Sequence, residues 1–217
     1  MKRTCAFSHW LVVFVMLLLG AGCAAAHPDL RDAEAYYYRG LAYDGTGRYD
    51  EAISNYTRAL ETDPRYFKAY NNRGVSYQKK GQHDQAISDY TKALEIARFA
   101  EAYNNRGVSY QKKGQYDQAI SDYTRELEIN PMDYVAYNNR GIAYASKGQY
   151  DETISDSTKA LEINPKYARA YHNRANAYYH RKEYKKAWDD VYQAESLGVK
   201  FRPEFLKGLR EVSGREK

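Results

Sequence analysis

One short sequence motif recurs along this chain at a nearly constant interval. The motif Tyr-Asn-Asn-Arg-Gly occupies residues 70–74, 103–107 and 137–141, and weaker copies occupy residues 36–40 and 171–175. Consecutive copies end 34, 33, 34 and 34 residues apart. A period near 34 residues is typical of a helix–turn–helix unit that stacks on copies of itself to form a solenoid. The period therefore predicts an all-α repeat protein, a class that binds other proteins far more often than it catalyses reactions.

The residue spacing inside one unit predicts two antiparallel helices. In the second unit, Tyr70, Gly74 and Tyr77 recur at helical spacing before a turn at Gly81. The helical face after that turn carries Ala86, Tyr90, Ala93 and Leu94. Small residues on both helices predict a close approach between them, and the tyrosines fill the wider spaces. Most of the 24 tyrosines occupy such fixed positions, which favours a packing role over a binding role.

At these positions the chain resembles the tetratricopeptide repeat family. The second unit matches the family pattern at Tyr70, Gly74, Tyr77, Ala86, Tyr90 and Ala93. The third unit matches it at Tyr103, Gly107, Tyr110, Ala119, Tyr123 and Pro131. The resemblance covers residues 33–201 and implies a right-handed α-solenoid of five helix–turn–helix repeats. The implied repeats are residues 33–66, 67–99, 100–133, 134–167 and 168–201.

Departures from the family pattern predict where the packing changes. The second unit is one residue short and has Arg98 where the family has proline, so we expect a re-angled junction with the third unit. Glu126 replaces an alanine in the third unit, and Thr153 and Ser157 replace an alanine and an aromatic residue in the fourth. The loss of a large side chain at Ser157 predicts looser packing there, at a cost of about 1–3 kcal/mol.

The last residues of the chain, 202–217, predict a capping helix and a tail. An apolar stripe follows Pro203 and consists of Phe205, Leu206, Leu209 and Val212. A solenoid exposes an apolar face at each open end, so a terminal amphipathic helix is expected to cover one of them.

A basic and an acidic residue also recur with the repeat. The arginines at position 7 and the aspartates at position 23 are Arg39, Arg73, Arg106, Arg140 and Arg174, and Asp89, Asp122, Asp156 and Asp190. We expect an ion pair between the two helices of each unit. A structural ladder explains these residues better than a phosphate site does, because the arginines come with acids.

The inner, concave face of such a solenoid is the candidate binding surface. The candidate groove residues are Asn71, Asn72, Val75, Asn104, Asn105, Val108, Asn138, Asn139, Ile142 and Asn173. An amide carries both a donor and an acceptor, so a row of asparagines can bind the backbone of an extended peptide. The alternative is that these asparagines are solvated or form hydrogen bonds within the scaffold. The sequence leaves the two interpretations open.

Other functions have little support in the sequence. His172 and His180 lie two turns apart on one predicted helix, too far for both to bind one metal ion. The repeat region contains no cysteine, phosphate loop or Ser-His-Asp arrangement. The formal net charge is +5, or +3 without Lys2 and Arg3, and it is spread evenly. We therefore expect no catalytic residue, metal, cofactor, small-molecule substrate or nucleic acid partner.

The N-terminus predicts export. Residues 1–22 combine a basic start, an apolar run and small residues, as a secretory signal peptide does. Residues 20–23 resemble the bacterial lipobox, which implies lipid attachment at Cys23 with residues 23–32 as the attachment site and linker. The family prefers leucine where Gly20 stands, and cleavage before His27 or a retained membrane anchor are alternatives. Ala24 after the cysteine favours the outer membrane, with the protein facing the periplasm; a soluble periplasmic or secreted form is the alternative.

Together these patterns predict a non-catalytic scaffold for protein–protein interaction. It would be exported, lipid-anchored in a bacterial cell envelope, and able to bind a peptide or protein partner in its concave groove. The alternative is a structural or pilotin-like subunit of an envelope assembly machine.

Overall fold

The computed structural model describes residues 30–214. The predicted signal peptide and Cys23 lie outside this range. Residues 30–214 contain eleven α-helices and no strand. The helices are α1 (Leu30–Gly45), α2 (Tyr49–Thr62), α3 (Phe67–Lys79), α4 (His83–Ile96), α5 (Ala100–Lys112), α6 (Tyr116–Ile129), α7 (Tyr134–Ser146), α8 (Tyr150–Ile163), α9 (Ala168–His180), α10 (Tyr184–Ser196) and α11 (Pro203–Ser213). In this part of the chain, every helix is too short or too polar to cross a membrane.

The helices pack in the order in which the chain makes them. The two helices of each unit contact each other most extensively, and the second helix of a unit packs on the first helix of the next. Contacts between neighbours alone are what a solenoid requires, so the predicted all-α solenoid is confirmed. The first helix α1 begins at Leu30, inside the segment predicted to be a linker.

Each unit turns between its two helices at a residue with positive φ. The turn residue is Gly47, Gly81, Gly114 or Gly148 in the first four units, with φ between 73° and 75°. Glycine suits this conformation because it has no Cβ atom to clash with the backbone. In the fifth unit Lys182 takes the same place at φ 61°. The predicted glycine turns are confirmed, and the fifth unit makes its turn at a local cost of about 1–2 kcal/mol.

A glycine and a tyrosine fill the interior of the first three units. The pairs are Gly40–Tyr56, Gly74–Tyr90 and Gly107–Tyr123, and all three rings are fully buried. A Cβ atom on any of these glycines would lie 2.5–2.8 Å from the Cε1 atom of the ring. The predicted close approach of the two helices is confirmed, and it depends on the absence of a side chain at the glycine.

The fourth unit lacks this contact. Beside Gly141 stands Ser157, and a Cβ atom on the glycine would meet atoms no closer than 3.4 Å. The hydroxyl of Thr153 donates to the carbonyl oxygen of Gly141 at 3.1 Å and so occupies part of the space. The hydroxyl of Ser157 is buried and has no hydrogen-bond partner in the described part of the chain. The contacts beside the glycine therefore differ from those of the first three units.

Four of the five predicted arginine–aspartate pairs form. The Nε and Nη2 atoms of each arginine donate to the two oxygens of one carboxylate at 2.7–2.8 Å. The pairs are Arg73–Asp89, Arg106–Asp122, Arg140–Asp156 and Arg174–Asp190. The hydrogen bonds to Asp156 raise the pKa of Arg140 above its usual value. The prediction is wrong in the first unit, where Arg39 is exposed and Asn55 occupies the position of the aspartate.

Further polar contacts join each unit to the next. Each of the four paired arginines also donates to a threonine hydroxyl of the preceding unit at 2.9–3.0 Å; these are Thr57, Thr91, Thr124 and Thr158. Ion pairs between successive units are Lys80–Asp50, Lys113–Asp84, Lys147–Asp117 and Arg181–Asp151. The four arginines therefore contact both their own unit and the preceding one, which supports the structural explanation of these residues.

The C-terminal helix α11 covers the end of the fifth unit. Leu209 is fully buried there, and the indole nitrogen of Trp188 donates to the hydroxyl of Ser213 at 3.0 Å. Phe205 and Leu206 pack on the same apolar cluster. Val212 was predicted to share this stripe, but it is 46% exposed because it points away from the cluster. The packed face of α11 is therefore narrower than the sequence predicts.

Candidate functional site

The first helices of the units carry every candidate groove residue. Asn72, Val75, Asn104, Asn105, Val108, Asn139, Ile142 and Asn173 are half-buried along this surface. Asn71 and Asn138 are only 3% and 2% exposed. These two amides therefore present little surface to a partner, because the stacking of neighbouring units covers most of them.

The asparagines form a ladder of hydrogen bonds between units. The asparagine directly before the repeated arginine, at position 6 of a unit, donates to the side chain at position 5 of the preceding unit. The bonds are Asn72 Nδ2 to Tyr37 Oη at 3.0 Å, Asn105 Nδ2 to Asn71 Oδ1 at 3.4 Å, Asn139 Nδ2 to Asn104 Oδ1 at 3.4 Å, and Asn173 Nδ2 to Asn138 Oδ1 at 2.8 Å. Of the two interpretations that the sequence leaves open, hydrogen bonding within the scaffold describes most of this polar surface.

Some capacity for hydrogen bonding remains on this surface. The Oδ1 atoms of Asn105 and Asn139 have no partner within residues 30–214. Asn139 also lines a cleft of about 360 Å³, which we call the polar cleft. The other residues around the polar cleft are Val108, Gln111, Lys112, Tyr116 and Ser146. This opening offers one apolar side chain, one free amide oxygen and one ammonium group to a ligand.

A second cleft, of about 290 Å³, lies nearer the start of the first helices. It is lined by Tyr37, Phe67, Lys68, Asn71, Asn72, Phe99 and Glu101, and we call it the aromatic cleft. The rings of Phe67 and Phe99 meet edge to face, with centroids 5.2 Å apart. Neither phenylalanine was predicted to be a site residue. The missing residue and the missing proline of the second unit were the signals that could have directed attention to Phe99.

The two histidines of the fifth unit pack against aromatic rings. His172 stacks on Phe201 with centroids 4.5 Å apart, and His180 stacks on Tyr150 at 4.4 Å. Burial lowers the pKa of His172, so its neutral form is favoured. Across residues 30–214, no group of three histidine, cysteine, aspartate or glutamate side chains is arranged to hold a metal ion. Both histidine rings therefore take part in packing within the protein.

Profiles of one family match most of the chain. Tetratricopeptide repeat profiles match residues 18–54, 67–98, 100–133, 134–167 and 158–189, and a TPR repeat profile matches residues 45–81. The chain therefore belongs to the tetratricopeptide repeat (TPR) family. A comparison with curated proteins found no significant match.

Solved structures of TPR proteins share the fold. A crystal structure of MamA is 26% identical, with a TM-score of 0.70, and the match covers 78% of this chain and 96% of MamA. YrrB, described as a TPR protein with an unusual peptide-binding site, is 24% identical with a TM-score of 0.71, over 85% of this chain and 94% of YrrB. PilF of Pseudomonas aeruginosa is 23% identical with a TM-score of 0.73, over 85% of both chains. The family and the fold together define a scaffold for protein interaction.

Proposed function

We propose that this protein is a non-catalytic adaptor that binds an extended segment of a partner protein along its concave groove. The observation that carries the proposal is the polar cleft, which is lined by Val108 and by Asn139, whose Oδ1 accepts no hydrogen bond within residues 30–214. An apolar side chain beside a free acceptor matches what an extended peptide presents, namely side chains that alternate with backbone N–H groups.

The convex surface offers fewer free groups. Exposed charges on the second helices are paired three residues apart, as Lys92–Glu95, Arg125–Glu128 and Lys159–Glu162. Such exposed pairs contribute little to stability, and a partner would have to displace them to reach the surface beneath. This difference favours the groove over the convex face.

A photo-crosslinking amino acid placed at Val108 tests the groove without removing a buried polar contact. We expect a covalent adduct with the partner in intact cells. Arg125 is the matched control, because it lies in the same repeat on the second helix and is exposed. An adduct from position 125 and none from position 108 would show that the convex face is the interface. Alanine at Asn71 or Asn138 would be a poor test, because both amides belong to the scaffold.

We also propose that the protein is exported and anchored through a lipid on Cys23. The support is the sequence of residues 1–26, with its basic start, apolar run and cysteine at the end of that run. Acyl chains contribute about 0.8 kcal/mol per buried methylene, so several chains hold a protein on a membrane without a spanning helix. Replacing Cys23 with serine should release a soluble form or leave the precursor uncleaved. An unchanged mass together with unchanged membrane fractionation would contradict the anchor.

The alternative proposal is a structural or pilotin-like subunit of an envelope assembly machine. An adaptor is recovered mostly alone, with a partner present in variable amounts. A structural subunit is recovered from detergent-solubilised envelope in a complex of fixed stoichiometry. Size-exclusion chromatography coupled to mass determination distinguishes the two.

A further inference from the structure

The junction between the second and third repeats differs from the other repeat junctions. Helix α4 ends at Ile96, and Ala97 and Phe99 have extended backbones before α5 begins at Ala100. The other three junctions between repeats pass through turns that contain Pro64, Pro131 or Pro165. An extended connection holds the side chain of Phe99 against Phe67, on the wall of the aromatic cleft.

The ring pair of the aromatic cleft is less polar than the equivalent pair of the fourth unit. There the first and last residues of the unit are Tyr134 and Tyr167, and both rings carry a hydroxyl group. Phe67 and Phe99 carry none. Both phenylalanines are half-buried, so each keeps apolar surface that a ligand can cover.

The amides at the floor of the aromatic cleft are already engaged. Asn71 Nδ2 donates to Asn72 Oδ1 at 3.2 Å and to Glu101 Oε1 at 3.3 Å, and Asn71 Oδ1 accepts from Asn105. Asn72 Nδ2 donates to the hydroxyl of Tyr37. With both hydrogens of Asn71 used, this floor is poorly suited to bind a peptide backbone. Recognition here must rest on a side chain.

Two opposite charges stand at the rim of the aromatic cleft. Lys68 and Glu101 are both exposed, and Lys68 has no ion-pair partner among the described side chains. Glu101 accepts only the long hydrogen bond from Asn71. A ligand in this cleft can therefore meet one positive and one negative group beside the two rings.

Resting on the proposed groove function, we propose that the aromatic cleft is a specificity pocket for one large apolar side chain of the partner, flanked by an acidic and a basic residue. The apolar side chain lies among Phe67, Phe99 and Tyr37. The acidic neighbour pairs with Lys68 and the basic neighbour with Glu101. A cleft of about 290 Å³ is large enough for one phenylalanine or leucine side chain.

Three labelled nonapeptides of glycine and serine test this pocket against the full-length protein in detergent. Each carries a central phenylalanine, flanked by one glutamate and one lysine, by two lysines, or by two glutamates. The two-lysine and two-glutamate peptides present the same flanking charges in either direction, and the mixed peptide can pair with both Lys68 and Glu101 in one of its two directions. Fluorescence anisotropy should rank the mixed peptide first by about 3- to 10-fold, the range expected for exchanging attraction and repulsion at exposed charges.

Charge reversal in the protein should change this ranking. Lys68→Glu should prefer the two-lysine peptide, and Glu101→Lys should prefer the two-glutamate peptide. Phe99→Ala should weaken all three peptides about 10-fold or more, because it removes half of the ring pair. Lys92→Glu is the matched control on the outer helix face, with the same change of net charge and no expected change of ranking. Circular dichroism confirms that each variant keeps its helices.

Two outcomes would overturn the assignment. One is a failure of all three peptides to bind. The other is binding whose ranking stays the same in Lys68→Glu and Glu101→Lys but is lost in Ser146→Trp, a variant that fills the polar cleft from an exposed position. The second outcome would leave the groove proposal standing and remove only the specificity pocket. Failure of the groove itself is read separately, from the absence of a crosslink at position 108.

Discussion

The third and fourth repeats share the motif Tyr-Asn-Asn-Arg-Gly and differ beneath it. In the third, the buried ring of Tyr123 fills the space beside Gly107, and its hydroxyl donates to Gln111 at 2.9 Å. In the fourth, serine and alanine stand at the positions of that tyrosine and glutamine. The tyrosine and its hydrogen-bond partner are therefore absent together.

The helix pair survives this change of interior. The arginine–aspartate pairs of the two repeats have the same geometry, with hydrogen bonds of 2.7–2.8 Å in each. Thr153 takes up part of the space where the other repeats have alanine. The ion pair and the close-packed small residues are therefore sufficient to maintain the arrangement of the two helices. The buried tyrosine adds packing energy that the fourth repeat lacks.

The largest expected effect comes from giving the third repeat the interior of the fourth. Tyr123→Ser removes a fully buried ring and leaves Gln111 without its donor. We expect the free energy of unfolding to fall by about 3–5 kcal/mol, the range for truncating a buried aromatic side chain. Urea unfolding followed by circular dichroism measures this. Ser157→Ala is the control and should change little, because that hydroxyl has no partner to lose. Equal losses of unfolding free energy in the two variants would show that the buried ring of Tyr123 adds no packing energy.

A second difference between these repeats predicts a dependence on pH. Glu126 is 2% exposed where the fourth repeat has Ala160, and its Oε2 atom has no partner in residues 30–214. Burial, followed by the charge of Asp133, raises the pKa of Glu126 from 4.5 to about 8. Because the folded state holds this proton more tightly than the unfolded state does, the stabilising contribution is complete below pH 4.5 and is lost as the pH rises through 8.

Glu126→Gln should therefore flatten the fall in stability between pH 4.5 and 8, by a few kcal/mol over that interval. The measurement is a series of thermal melts of the variant and the natural chain across this range. Glu128→Gln, at an exposed position in the same helix, serves as the control. A natural chain whose melting temperature stays constant from pH 4.5 to 8 would show that Glu126 titrates normally.

A smaller effect is expected from adding one methyl group to each of two glycines. Gly107→Ala would bring a Cβ atom within 2.8 Å of the Tyr123 ring, so we expect a loss of about 1–3 kcal/mol from overpacking. Gly141→Ala meets only ordinary contacts and should be neutral or stabilising by up to about 1 kcal/mol, because alanine favours helix. Thermal unfolding of the two variants measures the difference in stability between them. A destabilised Gly141→Ala variant would mean that the fourth repeat is packed as tightly as the third.

The smallest effect concerns the tyrosine hydroxyls of the second and third repeats. The hydroxyl of Tyr90 is buried without a partner in the described structure, while that of Tyr123 donates to Gln111. Tyr123→Phe should cost about 0.5–1.5 kcal/mol, and Tyr90→Phe should cost nothing or stabilise. Differential scanning calorimetry resolves a difference of this size. The opposite order would indicate that the Tyr90 hydroxyl has a partner after all.

Several contacts inside each repeat were readable from the sequence. The pairing of Arg73 with Asp89 follows from residues that recur on two helices of fixed length joined by a short turn. The turn glycines and the terminal helix were predicted for the same reason. The small residue at Gly74 predicted a close approach of the helices, but the packing of the Tyr90 ring directly on that glycine was not predicted. The ion pair predicted for Arg39 was wrong because the pattern of the other four repeats was extended to the first repeat, which lacks the aspartate.

The contacts between repeats depend on the tertiary structure. Whether Asn71 faces the groove or lies buried against Asn105 depends on the angle at which one repeat stacks on the next. The same angle determines whether Phe99 reaches Phe67. Periodicity specifies which residues recur, but a small rotation between units decides which of them meet, since side chains of neighbouring repeats approach only where the stacking brings their helices together. The sequence by itself therefore determined the class of fold and the interior of each unit, and the tertiary structure decided which polar and aromatic side chains of the concave face remain free for a partner.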